Sequence, residues 1–228
     1  MRRRLRVRWT VVVLLLGCAE PSSTTPDSVG EPATESSVAT DAYGVRPLFP
    51  GMRAPAFEAK DSANETYGFD PESVASPVIM AFYRGGWCPY CNLQLAELRE
   101  MDDELASMGY DLLFLSADRP YVLSQDSVEE DPPYKLLSDS TMSIAKDFGI
   151  AFRLPDATVE RYRSKGLDLA EESGLDHRLL PAPSVFIIGS DGEIKFQYTN
   201  PDYRERIPGL LLLEAARVFS ESEHSTNP

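Results

Sequence analysis

The sequence predicts an α/β protein in which a central mixed β-sheet is flanked by helices. Short apolar runs of strand length recur along the chain, and segments with apolar residues at helical spacing lie between them. Near the C-terminal end, two apolar strands are joined by Gly189-Ser190-Asp191-Gly192, a turn sequence typical of a β-hairpin. With 228 residues, 43% of them hydrophobic, the chain can build one core of ordinary size. Strands and helices in this order predict a sheet with helices packed on it.

The chain begins with a leader that is first basic and then apolar. Five arginines lie among residues 2–8, and an apolar run follows at residues 9–16. Because a membrane-spanning helix needs roughly 20 residues, this shorter run favours an export signal. Leu15-Leu16-Gly17-Cys18 then resembles the lipobox of bacterial lipoproteins, in which the chain is cut before a cysteine that becomes acylated. Residues 1–17 are predicted to be a lipoprotein signal peptide, with an ordinary secretory signal or an uncleaved anchor as alternatives.

Residues 18–44 are predicted to be a disordered, acidic tether rich in Ser, Thr and Pro. Residues 19–42 contain no Lys, Arg or aromatic residue, so they cannot bury enough apolar surface to offset their conformational entropy. Lipidation of Cys18 would hold the following domain, residues 45–220, at a membrane of the bacterial cell envelope, facing the periplasm or the exterior. A disordered tail is predicted at residues 221–228. The net charge of -14 argues against nucleic acid as a partner, since phosphate binding needs a basic surface.

The first half of the domain is predicted to contain three buried strands. Apolar runs at residues 77–83 and 110–116 are of strand length, and a shorter run follows at residues 134–138. Asp118 lies in a turn sequence after the second run and is interpreted as a turn residue. Apolar residues at helical spacing predict one helix between the first two strands, ending at Gly109: Leu95, Leu98, Met101, Leu105 and Met108. The acidic residues between them are interpreted as the exposed face of this helix: Glu97, Glu100, Asp102, Asp103 and Glu104.

The second half of the domain is predicted to be a helix, an insertion, a hairpin and a last helix. Asp139 begins a polar segment that caps a helix running to about Phe148. The mostly polar residues 156–173 predict a helical insertion before the final β-hairpin. The hairpin covers residues 184–198, and a C-terminal helix covers residues 210–219.

The chemistry of the chain centres on the segment Gly85-Gly86-Trp87-Cys88-Pro89-Tyr90-Cys91, between a predicted strand and a predicted helix. A thiol attacks as the thiolate, and the free N–H groups at a helix N-terminus favour negative charge. Pro89 suits the first helical turn, because its φ is fixed and it has no N–H to leave unpaired. Since Cys91 follows within one turn, it can resolve a disulfide formed on Cys88. Cys88 is therefore the predicted nucleophile, titrating below a free thiol, and Cys91 the predicted buried resolving cysteine.

A zinc half-site and an inert cysteine pair are the alternatives to redox chemistry. Zinc in proteins usually has four ligands, whereas the two histidines, His177 and His224, have no companion at ligand spacing. We therefore predict no metal and no other cofactor. A bridge between Cys88 and Cys91 would constrain almost no chain, so the pair needs a chemical explanation rather than a structural one.

Trp87-Cys88-Pro89-Tyr90-Cys91 after an apolar strand resembles the active site of the thioredoxin superfamily. The segment from Pro181 to Ile194 resembles the part of that superfamily that carries a cis-proline facing its CxxC motif. Three further segments, 82–87, 115–118 and 137–139, are similar to the redoxin branch, the alkyl hydroperoxide reductase/thiol-specific antioxidant (AhpC/TSA) and peroxiredoxin-like proteins. The resemblance covers about residues 45–220 and implies a thioredoxin-like fold.

The resemblance also implies roles for residues around the two cysteines. Pro183, flanked by Ala182, would be the cis-proline whose backbone pairs with a substrate peptide, and Trp87 would shield the reactive sulfur. A trans proline leading a strand and a tryptophan that covers the core are the alternatives. Arg84 is interpreted as a solvated charge at the end of a strand, with stabilisation of a thiolate as the alternative.

Three functions are compatible with these residues. The favoured one is an enzyme, a thiol-disulfide oxidoreductase that exchanges disulfides with thiol proteins of the envelope through Cys88 and Cys91. The second is a thiol-dependent peroxidase, in which Cys88 is oxidised by a hydroperoxide to a sulfenic acid, condenses with Cys91 and is regenerated by a small thiol reductant. Exchange is favoured because residues 84–87 lack the Pro and Thr that precede the reactive cysteine of peroxiredoxins. Residues 185–198 also lack the arginine that peroxiredoxins carry near their later strands. The third is a non-enzymatic lipoprotein that uses the fold for binding.

Overall fold

The structure, a computed structural model, describes residues 38–126 and 134–226. The predicted signal peptide, Cys18 and the predicted tether up to residue 37 lie outside the described residues. The strands are β1 (Phe57–Asp61), β2 (Thr66–Phe69), β3 (Val78–Tyr83), β4 (Asp111–Ser116), β5 (Tyr134–Ser138), β6 (Ala151–Arg153), β7 (Leu179–Pro181), β8 (Ser184–Ile188) and β9 (Ile194–Thr199). The α-helices are α1 (Pro89–Arg99), α2 (Asp102–Ser107), α3 (Pro120–Asp126), α4 (Ser143–Asp147), α5 (Asp156–Arg163), α6 (Leu169–Ser173) and α7 (Gly209–Thr226).

A mixed sheet of seven strands, in the order β2-β1-β5-β4-β3-β8-β9, forms the centre of the described fold. Strand β3 lies parallel to β4 and antiparallel to β8, and β4 lies parallel to β5. All six residues of β3 are buried, as expected for a strand covered on both faces. The structure confirms the predicted mixed sheet flanked by helices, with the predicted strands at their predicted places.

The core divides into two layers, one on each face of the sheet. Because side chains alternate along a strand, β3 sends Met80 and Phe82 to one layer and Ile79 and Tyr83 to the other. The first layer contains three aromatic rings in edge or tilted contact, Phe82, Phe148 and Phe186. The second layer contains α1, α7 and the two cysteines. The cysteines are therefore part of one core layer.

One predicted helix is two helices in the structure. Residues 95–108 were expected to form a single helix, but α1 ends at Arg99 and α2 begins at Asp102. Met101 between them has a φ of -107° and a ψ of 1°, outside the helical values. Three acidic residues then occupy the first turn of α2, where negative charge stabilises a helix N-terminus. The acidic run that was interpreted as an exposed helix face thus starts a new helix.

The helical insertion is confirmed and consists of α5 and α6. It lies between β6 and β7, which pair antiparallel in a separate two-stranded sheet. Phe152 pairs with Leu180, so the two ends of the insertion are held together at its base. The paired strands β6 and β7 therefore hold both ends of the insertion in place.

Both ends of the predicted domain differ from the structure. Residues 38–44 were assigned to the tether, but Val38, Ala39 and Ala42 pack against the core. The backbone of Ala39 bonds to both Ala151 and Arg153, which explains why this segment is ordered against β6. At the other end, α7 continues to Thr226, so most of the predicted disordered tail is helical. None of the helices in residues 38–126 and 134–226 combines the length and the apolar character needed to cross a membrane.

We expect Asp139→Ala to lower the free energy of unfolding by about 1–2 kcal/mol, the usual cost of losing a helix cap. The buried Asp139 carboxylate accepts hydrogen bonds from the backbone N–H groups of Ile144 (3.0 Å) and Ala145 (2.7 Å) in the first turn of α4. Its removal leaves both donors buried without this acceptor. Chemical denaturation of the variant measures the change. Thr141→Ala, on the exposed side of the same turn, is the control and should be close to neutral; equal effects of the two substitutions would contradict the capping role of Asp139.

Candidate active site

The structure places Cys88 at the N-cap of α1, with Pro89 as the first helical residue. The backbone N–H of Cys88 bonds to the carbonyl of Gly85, and the carbonyl of Cys88 accepts from the N–H groups of Cys91 and Asn92. The predicted helix start is therefore confirmed. Both sulfur atoms lie at the end of a helix where unpaired N–H groups favour a negative charge.

The loop before Cys88 is fixed by Asp118, which follows β4. The Asp118 carboxylate accepts hydrogen bonds from the backbone N–H of Gly86 (2.8 Å) and from the hydroxyl of Ser116 (3.1 Å). Gly85 has a φ of +151°, and a Cβ at this position would lie 2.3 Å from Nε1 of Trp87 and 2.6 Å from Oδ1 of Asp118. Only glycine therefore fits where the chain leaves β3. Asp118, interpreted from the sequence as a turn residue, also holds the loop that carries the cysteines.

The two cysteines are buried, are not joined by a disulfide, and have very different pKa values. Cys88 is 1% exposed and Cys91 0% exposed. A hydrogen bond from the Cys91 thiol, together with the Cys91 backbone N–H and the charges of Arg84 and Arg206, outweighs burial and lowers the pKa of Cys88 to about 6. Burial, together with the neighbouring Cys88 thiolate, raises the pKa of Cys91 far above its ordinary value. The difference has the predicted direction, with Cys88 as the more acidic of the two thiols.

Arg84, at the end of β3, is buried rather than solvated. It is only 3% exposed, and its Nη2 donates a hydrogen bond to the Tyr162 hydroxyl. Its guanidinium carbon lies 4.2 Å from the ring centroid of Tyr203 and 4.9 Å from that of Trp87, distances at which cation–π attraction operates. The interpretation of Arg84 as a solvated charge was wrong, because α5 and the segment after β9 bring aromatic rings over it. Its positive charge is one of those that lower the pKa of Cys88.

Arg206 is a site residue that the sequence analysis missed. It lies between β9 and α7, and its Nη2 is 3.1 Å from the Sγ atom of Cys91. Its Nε and Nη1 atoms are buried and have no hydrogen-bond partner among the residues that the structure describes. In the sequence Arg206 lies 115 positions from Cys91 in a polar segment, so no local pattern indicates this contact.

The predicted cis-proline is trans in the structure. No cis peptide bond occurs in the described residues, which include Pro183. The N–H of Ala182 bonds to the carbonyl of Ile150, and the carbonyl of Pro183 accepts from the N–H of Asn200. The residue after Pro183, Ser184, pairs with Phe82, so Pro183 lies near the end of β3, the strand that precedes the cysteine motif. Because these backbone groups already have partners within the protein, the structure gives no support to pairing of Pro183 and Ala182 with a substrate peptide.

Trp87 packs on the core, which is one of the two roles considered for it. It is half-buried and packs against both core layers, and its ring lies 5.7 Å from that of Tyr162. It therefore covers part of the core, while shielding of the Cys88 sulfur and contact with a substrate stay predictions.

His177 uses both ring nitrogens, toward the carbonyl of Ser140 and the N–H of Leu179. Within the described residues no group of three His, Cys, Asp or Glu side chains is arranged to hold a metal ion.

Comparison with known proteins identifies the family. Residues 50–197 match the sequence model of the AhpC/TSA family. The chain belongs to the AhpC/TSA family. This match confirms the resemblance to the redoxin branch that segments 82–87, 115–118 and 137–139 carry, and the chain is accordingly an oxidoreductase.

Relatives and solved structures agree with this assignment. The AhpC/TSA chain is 32% identical to Peroxiredoxin Bcp of Escherichia coli (strain K12) over 106 residues, which are 46% of this chain and 67% of the relative. Its identity to a putative peroxiredoxin bcp of Haemophilus influenzae is 29% over 106 residues, 46% of this chain and 68% of the relative. The structure of Peroxidoxin BcpB from Mycobacterium tuberculosis superposes with a TM-score of 0.57 at 18% identity, covering 75% of this chain and 97% of that one. A thiol peroxidase from Chromobacterium violaceum gives 0.59 at 16% identity, covering 79% and 92%. At these identities the superpositions show the shared thioredoxin-like fold.

Proposed function

We propose that the protein is a thiol-dependent peroxidase in which Cys88 reduces a hydroperoxide and Cys91 resolves the oxidised cysteine. The residues around the cysteines favour disulfide exchange when the sequence is taken alone, with the peroxidase as the alternative. Membership of the AhpC/TSA family and the similarity to Peroxiredoxin Bcp support the peroxidase better. The order of the two functions is therefore reversed.

The observation that carries the proposal is the burial of a thiolate beside two arginines. Cys88 is 1% exposed, so a protein disulfide would have to bring its own sulfur into a nearly closed site. A hydroperoxide presents only its two terminal oxygen atoms and needs far less space. The charges that lower the pKa of Cys88, Arg84 and Arg206, are also suited to stabilise negative charge that develops on a departing oxygen.

In the first step the Cys88 thiolate attacks the terminal oxygen of the hydroperoxide. A sulfur–oxygen bond forms as the oxygen–oxygen bond breaks, so Cys88 becomes a sulfenic acid and the substrate leaves as an alkoxide that takes a proton from water. The sulfur is oxidised by two electrons and the peroxide is reduced to an alcohol, or to water when the substrate is hydrogen peroxide. Cys88 is suited to this step because it is a thiolate at neutral pH.

In the second step Cys91 attacks the oxidised sulfur of Cys88. A disulfide forms, and the hydroxyl group of the sulfenic acid leaves with the Cys91 proton as water. Two equivalents of an external thiol then reduce the disulfide and restore both cysteines. The backbone N–H of Cys91 bonds to the carbonyl of Cys88, and the Cys91 thiol bonds to the Cys88 sulfur, so the resolving group is already adjacent to its target.

Two assays on the same preparation test the proposed function. Consumption of hydrogen peroxide and of an organic hydroperoxide is followed with dithiothreitol as the thiol donor, and reduction of insulin disulfides is followed separately. We expect catalytic turnover of at least one hydroperoxide. Insulin reduction without peroxide turnover would overturn the peroxidase and restore disulfide exchange as the function.

We expect Arg84→Met to raise the pKa of Cys88 from about 6 toward the ordinary value of a free thiol. The Arg84 guanidinium favours the thiolate, so its loss moves the alkylation rate of Cys88 to higher pH and lowers this rate at neutral pH. The pH dependence of iodoacetamide labelling, read at Cys88 by tandem mass spectrometry, measures the shift. Arg119→Met removes an arginine of the segment after β4 as the control; a pH profile of Arg84→Met that coincides with that of the wild type would contradict the role of Arg84.

We also propose, from the sequence alone, that Cys18 carries a lipid and anchors the protein in the bacterial cell envelope. The lipobox-like segment before Cys18 supports this proposal. Metabolic labelling with a fatty acid should mark the wild type and not Cys18→Ala. Equal labelling of the two proteins, or none of the wild type, would contradict it.

A further inference from the structure

The segment between β9 and α7, residues 200–208, crosses the start of α1 and is here called the strap. Its first backbone N–H, that of Asn200, bonds to the carbonyl of Pro183. Tyr203 contacts Tyr90 edge to face, with their ring centroids 5.7 Å apart. Directly after the strap, the N–H of Gly209 bonds to Glu97 of α1 at 2.8 Å. The strap is thus attached on both sides of the cysteines.

The strap brings Arg206 to Cys91 in an unusual setting. The single hydrogen bond of its guanidinium among the described residues is the 3.1 Å contact from Nη2 to the Cys91 sulfur. Its other two nitrogen atoms, Nε and Nη1, are buried without an acceptor in the described chain. A thiol is a weak acceptor and compensates poorly for a partly buried cation, whereas a thiolate accepts a strong charge-assisted bond. The position of Arg206 therefore suits Cys91 better as a thiolate than as a thiol.

The resolving step needs such a stabilising group. Cys91 must attack as the thiolate, yet burial and the negative charge of Cys88 keep its proton in place. The groups that face Cys91 are the Cys88 sulfur, the backbone N–H of Arg84 and the guanidinium of Arg206. Oxidation of Cys88 to the neutral sulfenic acid removes the negative charge, while Arg206 stays positively charged. The protonation equilibrium of Cys91 then shifts toward the thiolate, which is the form that attacks in the resolving step.

We propose that Arg206 is a catalytic residue of the resolving step, where it stabilises the Cys91 thiolate as this attacks oxidised Cys88. The inference deepens the proposed function and rests on it for the sulfenic acid as the target. A bond forms between the two sulfurs, the sulfur–oxygen bond breaks, and the departing hydroxide and the Cys91 proton form water. Arg206 neither gains nor loses a proton in this step.

The resolving step can be measured on two forms of Cys88. In the first experiment the reduced protein receives one equivalent of hydrogen peroxide, is quenched with acid, and intact mass resolves the sulfenic acid from the disulfide. In the second, methyl methanethiosulfonate converts Cys88 to a small mixed disulfide, and attack by Cys91 releases methanethiol. The second form needs no peroxidase activity, so failure of the proposed function and failure of this inference are distinguishable.

We expect Arg206→Met to slow formation of the Cys88–Cys91 disulfide by at least about tenfold at neutral pH in both experiments. Its rate should approach that of the wild type only at higher pH, and Arg206→Lys should recover part of the loss. Oxidation of Cys88 should change less, because Arg84 also stabilises the Cys88 thiolate. Arg204→Met is the matched control in the same strap, since Arg204 forms an exposed ion pair with Asp202.

Disulfide formation at the wild-type rate with an unshifted pH profile in Arg206→Met would overturn the proposal. So would an equal slowing by Arg204→Met, because it would show that the strap matters only as structure. If Arg206→Met does not fold, Arg206→Gln provides a second neutral side chain with the same expected results. If peroxide leaves Cys88 unoxidised while the mixed disulfide is resolved in an Arg206-dependent way, the peroxidase is wrong and the role of Arg206 stands.

Discussion

Replacing Cys88 with serine will lower kcat/KM for hydroperoxide reduction by at least about a thousandfold, since the reaction has no nucleophile without this thiolate. A serine hydroxyl in this place is neutral at pH 7, whereas the hydrogen bond from Cys91 and the nearby arginines hold Cys88 largely ionised. The alternative nucleophile, Cys91, is 0% exposed and its pKa lies far above the ordinary value. Steady-state turnover with dithiothreitol as donor measures the loss.

Cys91→Ser is the matched control, because it removes the other thiol of the same helical turn. This variant should still consume one equivalent of peroxide in a single turnover, since Cys88 remains, but it cannot form the internal disulfide. Mass spectrometry after dimedone trapping should find the sulfenic acid at Cys88. If Cys88→Ser retains activity, or if Cys91→Ser loses the first oxidation as completely as Cys88→Ser, the assignment of nucleophile and resolving cysteine is wrong.

Phe186→Ala will destabilise the fold by about 3–5 kcal/mol, the usual cost of removing a buried aromatic ring. Phe186 lies in the middle of β8, is 0% exposed, and contacts the rings of Phe82 and Phe148 at centroid distances of 5.9 and 4.9 Å. Rigid neighbours on both sides cannot close the resulting cavity fully. A domain of this size has a free energy of unfolding of about 5–15 kcal/mol, so the loss is a large part of the total.

Phe196→Ala tests whether burial causes this effect. Phe196 lies on the neighbouring strand β9 and pairs with Ile187, but it is only half-buried. Truncation of Phe196 should lower the free energy of unfolding by clearly less than truncation of Phe186, because folding removes less apolar surface of Phe196 from water. Urea denaturation of the two variants gives both values. Equal losses would show that the three-ring contact around Phe186 has no special weight in the core.

The sequence was informative where a pattern is local. The apolar run of β3, the proline at the start of α1 and the spacing of Cys88 and Cys91 predicted a strand, a helix start and a reactive pair, and each has its expected place in the structure. The cap by Asp139 was predicted for the same reason, since its hydrogen bonds reach only five and six residues along the chain. The acidic run at residues 102–104 was misread, because an exposed helix face and a new helix start have the same composition.

Contacts between distant parts of the chain were not visible in the sequence. Arg84 was assigned to solvent, since a charged residue at a strand end is usually solvated and Tyr162 and Tyr203 lie 78 and more positions away. Pro183 was expected to be cis from resemblance alone, and only the folded chain shows it trans with its carbonyl bonded to Asn200. The burial of Cys88, which supports the proposed peroxidase, is likewise a property of the whole site and not of a local pattern.

Comparison of the sequence with relatives is enough to place this oxidoreductase in the AhpC/TSA family. The α/β fold and the cysteine pair at the start of a helix follow from short segments whose hydrogen bonds and periodicity are local. The surroundings of the two sulfurs, in contrast, are visible only in the folded chain: α5 covers Arg84, Asp118 fixes the loop, and the strap brings Arg206 to Cys91. The pKa of a buried thiol depends on charges and hydrogen-bond donors within a few ångströms, and the fold brings these together from residues far apart in the chain.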